Sequence, residues 1–155
     1  MATTNFGQVN STTPIYTAAQ ADSVLTLSPQ WIKVTKSYTD FATAGLTNDI
    51  EIYSLPAGAM IHRVIIKHTT AFAGGTISAY TLSVGVASNL VKYATAFNVF
   101  QAVDGTTLQL SNNLDIENWD AATSIRGAAI SVTGLLDAAT TGTVEFHLLV
   151  STAKQ

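Results

Sequence analysis

From Thr143 to Val150 the chain reads TVEFHLLV, with apolar residues on every second position: Val144, Phe146, Leu148 and Val150 on one side, Glu145 and His147 on the other. A period of two is that of a β-strand with one buried face. The same alternation recurs along the chain. WIKVTKSY, from Trp31, sets Ile32 and Val34 against Lys33 and Thr35, and DIEIYSL sets Ile50 and Ile52 against Glu51 and Tyr53. ISAYTLSVGV aligns Tyr80, Leu82, Val84 and Val86, while TSIRGAAISVTG separates Arg126, Ala128, Ile130 and Val132 from Ile125, Gly127, Ala129 and Ser131. Between DIEIYSL and MIHRVIIKH stands LPAG, where proline fixes φ and glycine tolerates a positive one, so the chain reverses before Met60.

MIHRVIIKH is apolar on both sides. Strict alternation places His62, Val64, Ile66 and His68 together, with Ile61, Arg63, Ile65 and Lys67 opposite. Such a strand belongs inside a sandwich, its second face covered by an arm or a neighbouring subunit. TTAFAGG then turns the chain. NLVKYATAFNVFQAV has spacing that also suits a short helix, but its Val, Tyr and Phe content favours two short strands. TTLQL is a further strand, and the acidic, irregular LDIENWDAAT is a helical turn or an exposed loop.

About eight strands and no long amphipathic helix disfavour a parallel βαβ architecture. The fold class is all-β: a two-sheet antiparallel sandwich, jelly-roll-like, with an immunoglobulin-like sandwich or a compact barrel as the alternatives. Spacing alone does not give the strand order. At 155 residues the chain supports one core. Residues 30–155 form that domain, and the weakly periodic residues 1–29 are an arm or irregular cover.

Charged residues make up 11% of the chain, against about 25% in an ordinary soluble domain. Thr, Ser, Asn, Gln and Ala must therefore coat much of the surface, and with a net charge of -3 there is little self-repulsion to oppose assembly. The seven basic residues are scattered, with no run for a phosphate backbone, so direct nucleic-acid binding is not expected. No cysteine is present, which removes disulfides and thiolate metal sites. The start MATTNFGQVNSTTP lacks a basic opening and an apolar core, and no apolar run reaches the 18 or so residues of a span, so neither a signal peptide nor a membrane segment is expected.

Chemistry leaves little trace. His62 and His68 lie about 20 Å apart along an extended strand, too far to share an ion, and His147 belongs to another strand. Asp115, Glu117 and Asp120 supply oxygen ligands without the spacing of a calcium-binding hand loop. Asp40, Asp104 and Asp137 are candidates for a carboxylate pair that no spacing singles out. No serine sits in a nucleophile elbow, and neither SVGVASN nor TAFAGGT matches a phosphate loop. No catalytic residue, cofactor or metal is expected. Trp119, within ENWD, either plugs one end of the sandwich or a subunit seam, or stacks on a sugar face as a glycan contact. Trp31 is a strand residue to be packed by the arm.

The run IEIYSLPAGAMIHRV at residues 50–64, then TTAF and AYTLSVG, resembles the strand and turn patterns of small tailed-phage virion structural proteins. The likeness spans Glu51 to Val86, with a similar closing run from Ile125 to Val150. It rests on turns and strands, so no functional residue is carried over. The resemblance implies a non-enzymatic component on the outer surface of the virion, a capsid decoration or cement protein. Its partners would be itself, as a homo-oligomer and commonly a homotrimer, and the major capsid protein whose subunit contacts it covers. The alternative is a head-fibre or tail-associated module that binds a receptor or glycan. Residues 1–29 are expected to contribute the capsid-facing or intersubunit grip.

Overall fold

The computed structural model describes residues 29–100, 105–110, 117–118 and 120–152, the span 105–110 by its backbone. Apart from Pro29, the expected arm lies outside the described residues. Eight strands follow in order: β1 (Gln30–Ser37), β2 (Thr47–Leu55), β3 (Ala59–Ala73), β4 (Tyr80–Val86), β5 (Asn89–Asn98), β6 (Gly105–Leu110), β7 (Thr123–Ser131) and β8 (Thr141–Thr152). They form two four-stranded sheets, β1-β8-β3-β6 and β2-β7-β4-β5. Pairing is antiparallel and nested: β1 with β8, β2 with β7, β3 with β6, β4 with β5. This is the strand order of a jelly roll, one long hairpin folded so that its successive rungs fall into alternate sheets.

The core lies between the sheets. β8 supplies Val144, Phe146, Leu148 and Val150, all buried, as its alternation requires. The other sheet answers with Ile52, Leu82, Val84, Ile125 and Ala129. Each large aliphatic or aromatic side chain moved from water into such a core contributes about 1.5–3 kcal/mol.

β3 departs from strict alternation. Its register against β8 shifts between Ile61 and Arg63, the mark of a bulge. One extra residue changes which parity faces inward. Ile61 is therefore buried with Val64, Ile66 and His68, while His62 leaves the core face and meets Ser151. The strand also runs on through TTAFA to Ala73, so the turn starts only at Gly74, with Gly75 and Thr76 at its centre and Ile77 N–H closing it on Gly74 O. Likewise residues 89–98 form one continuous strand in place of two short ones, held to β4 through two register shifts.

A one-turn helix, α1 (Tyr38–Phe41), follows β1. Its cause is local: Ser37 is the N-cap, and Asp40 Oδ2 accepts the Ser37 N–H at 2.7 Å, the acidic half of a capping box. The turn drives Phe41 into the core, edge-on to Phe146 at 6.5 Å between centroids. Of LDIENWDAAT, the described residues 117–118 and 120–122 are bend and coil.

Candidate docking surface

Three connections meet at one end of the sandwich: residues 42–46, 74–79 and 132–140. Backbone hydrogen bonds lace them together. Leu136 N–H donates to Gly45 O at 2.9 Å, Asp137 N–H to Thr43 O at 3.1 Å, and Ser131 N–H to Leu46 O at 2.8 Å. Ser78 N–H reaches Thr133 O at 3.3 Å, and Thr140 N–H reaches Ala73 O at 2.9 Å. Gly134 makes the crossing possible. Its φ is +80°, and a Cβ there would lie 2.6 Å from the carbonyl carbon of Thr76.

This end is unusual in what it leaves in water. Leu46, Ile130, Val132 and Leu135 are exposed by 44, 41, 68 and 44%. Thr47 pairs with Ile130 in the β2–β7 ladder, so these aliphatic residues come from neighbouring stretches of backbone. Asp137 is the one charged residue in the three connections. Singly scattered apolar residues are ordinary on a surface; what marks this end is that four of them stand on connections carrying one charged residue.

The opposite end carries the ENWD segment. Gly58 N–H donates to Asn118 O at 2.8 Å, tying this segment to the β2–β3 turn. Glu117 pairs with Lys92 at 2.6 Å, and the Lys92 ammonium also lies 5.6 Å from the Tyr93 ring centre. Asn118 Oδ1 accepts the N–H groups of Asp120 and Ala121 at 2.9 and 3.2 Å. Of the three acids considered for calcium, Glu117 is thus held by a lysine and Asp120 is exposed. Trp119, Asp115 and Asp104 lie outside the described residues.

The fold keeps the histidines apart. His62 Nε2 lies 2.7 Å from Ser151 Oγ, His68 is buried against Phe97 at 5.5 Å between ring centres, and His147 Nε2 is 3.1 Å from Glu145 Oε2. The His62–Ser151 contact has the partners of a nucleophile and its base. Among the described residues, however, no third group is hydrogen-bonded to the His62 imidazole to complete a triad. Asp40 is occupied as a cap; the Ser37 backbone N–H holds its carboxyl below the ordinary range. Asp137 stands in a 3-10 turn (Leu136–Ala138). Glu145 is likewise lowered, by hydrogen bonds from His147 and Lys33. Tyr80, stacked on Phe72 at 4.6 Å, has its phenol pushed up by burial. Among the described residues no three of His, Asp and Glu gather as metal ligands.

Sequence reasoning missed the loop end, because its exposed apolar residues are ordinary singly and the connections that carry them are joined by backbone hydrogen bonds between segments remote in sequence. Trp31 begins β1 as expected and is 49% exposed; its expected cover, the arm, lies outside the described residues.

Similarity to known proteins appears at the level of the fold. No family model matches the chain, and no curated protein matches it in sequence. Among solved structures, a chain of the cyanophage Pam1 capsid asymmetric unit superposes with a TM-score of 0.58 at 16% identity, covering 98% of this chain and 99% of that one. A chain of the capsid of Ralstonia phage GP4 gives a TM-score of 0.50 at 18% identity, covering 82% of this chain and 86% of that one.

Proposed function

We propose that the protein is a non-enzymatic structural component of a tailed-phage virion, a capsid decoration or cement protein on the outer surface that bridges contacts between major capsid subunits. The observation that carries this reading is the charge-poor loop end, where Leu46, Ile130, Val132 and Leu135 stand exposed on hydrogen-bonded connections. The end-to-end likeness to a chain of nearly equal length in a phage capsid asymmetric unit supports it.

Physical magnitudes shape the mechanism. Four partly exposed aliphatic side chains supply only a few kcal/mol when covered, since a whole one contributes about 1.5–3 kcal/mol. Association costs about as much or more in lost translational and rotational freedom. One copy therefore grips weakly. Several copies joined at a symmetry axis, as in a homotrimer, raise the effective concentration of each contact and hold neighbouring capsid subunits together. Residues 1–29 extend this grip, and deleting residues 1–20 lowers capsid occupancy while leaving the sandwich folded.

The test is to weigh the purified protein in solution and then image it with capsids stripped of accessory proteins. A homo-oligomer decorating regular capsid sites is the expected result. A protein that ignores capsids yet binds a glycan in a manner lost in Trp119→Ala would replace this reading with a head-fibre or tail-associated receptor module.

A further inference from the structure

The basic residues that look scattered in the sequence are sorted by the fold. On β8, Glu145, His147 and Leu149 alternate with the buried Val144, Phe146 and Leu148, and so face outward. Register then sets three rows across the outer face of the sheet. Trp31, Leu149 and Arg63 share one, Lys33, His147 and Ile65 the next, and Thr35, Glu145 and Lys67 the third. Leu149, Ile65 and His147 are half-buried in the middle, while Trp31, Lys33, Arg63 and Lys67 are exposed around them.

The charge on this face is unbalanced. Among the described residues, Lys33, Arg63 and Lys67 face a single acid, Glu145, whose carboxylate is already engaged by Lys33 at 3.2 Å and His147 at 3.1 Å. Arg63 and Lys67 have no ion pair among the described residues. Yet the chain as a whole carries a net charge of -3, so this face runs against the sign of the molecule. On the outer side of the other sheet the balance reverses: Asp49 and Glu51 accompany Arg126, which is hydrogen-bonded to Asp49.

We infer that the outer face of sheet β1-β8-β3-β6, centred on Leu149 and Ile65 and rimmed by Trp31, Lys33, Arg63 and Lys67, is a docking surface for a protein partner that presents carboxylates around an apolar centre. The anatomy is that of an interface, an apolar middle with aromatic and arginine anchors and a charged rim. Such a rim sets encounter rate and orientation through complementary charge. Two other occupants fit less well. Nucleic acid is disfavoured because three cations on a net-negative chain are few beside the six to ten or so phosphate contacts of a firm complex, and the apolar centre would be wasted on phosphate. A second copy presenting Asp49 and Glu51 is disfavoured because the two faces point in opposite directions. Joining them between copies makes a heterologous, head-to-tail contact, which closes only where its rotation completes a ring.

The identity of the partner as a capsid rests on the function proposed above; the surface itself does not. Two measurements separate them. In the first, poly-L-glutamate is titrated at low salt into the isotopically labelled protein. Expected are NMR shifts concentrated on the Trp31 indole N–H and the amides of β1, β3 and β8, removed by salt and by the Arg63→Glu, Lys67→Glu double variant. Shifts spread elsewhere, or none, overturn the surface. In the second, stripped capsids are mixed with wild type and with the double variant, each checked for folding by circular dichroism. Expected is occupancy at least about tenfold lower for the double variant at low salt. If wild type ignores capsids while poly-L-glutamate still maps to this face, the capsid reading falls and the surface stands. Equal occupancy of both proteins with no mapped shifts leaves the capsid reading and removes the surface. A double variant of lower solution mass than wild type makes the face a contact between copies, and retention on duplex DNA without response to poly-L-glutamate makes it a phosphate site; either result overturns the proposal.

Discussion

Gly127 on β7 lies directly under the ring of Phe146 on β8, across the gap between the two sheets: a Cβ placed on it would sit 3.2 Å from Phe146 Cζ and 3.0 Å from Ile52 Cγ2. The missing side chain is what lets the sheets close at this level. Gly127→Val should therefore overpack the core and destabilise the fold by about 1–3 kcal/mol. Urea unfolding should show a lower midpoint at unchanged slope; an unchanged midpoint would mean that the sheets can separate here without loss.

Gly142, the second residue of β8, has φ +143°, and a Cβ there would come within 2.5 Å of the Phe72 ring, which is itself packed on Tyr80. Gly142→Ala combines a backbone conformation that costs an L-residue about 1–3 kcal/mol with a collision in the core. The thermal midpoint is expected to fall by about 5–10 °C.

Among the described residues, Val132 is the most exposed of the large apolar ones, at 68%. Val132→Asp should leave stability within about 0.5 kcal/mol of wild type, as surface substitutions do. Occupancy on stripped capsids should drop several-fold all the same. A variant with full occupancy and normal stability would take the loop end out of the docking surface.

The Asp40 carboxyl is held below its ordinary value of 3.8 by the Ser37 N–H, so the folded chain binds this proton less readily than the unfolded one. Its stabilisation is present above that ordinary value and is lost as pH falls through the lower, folded one. Asp40→Asn should lower stability at pH 7, and the gap from wild type should narrow as pH drops below about 4. Denaturation curves at both ends of that range check the sign; a gap that widens in acid would refute the assignment.

How far the sequence disclosed these features depends on their range. β8 was legible because burial and alternation coincide along its whole length, from Val144 to Val150. β3 was half legible, since a bulge at His62 cannot be seen in composition yet changes which residues face the core. The α1 turn carried a local sign, Ser37 three residues before Asp40, that its four-residue length made easy to overlook. The eightfold strand count and the sandwich could be argued from pattern, whereas the nested pairing is a property of contacts distant in sequence. Both docking surfaces are of that second kind. Leu46 comes beside Ser131 only through a backbone hydrogen bond that continues the β2–β7 ladder, and Lys33, Arg63 and Lys67 share a face only because β8 lies between β1 and β3.

That placement of β8 governs how the molecule comes into being. β1 and β3 touch β8 on either side, so the first strand described has no neighbour in its sheet until the last one exists. Pairings between such remote segments make for slow closure, on the scale of milliseconds to seconds. During translation the early strands must wait with open edges, and a chain cut short before Thr141 has no way to close its sandwich. The sandwich, and any assembly that needs it, therefore waits on Thr141–Thr152.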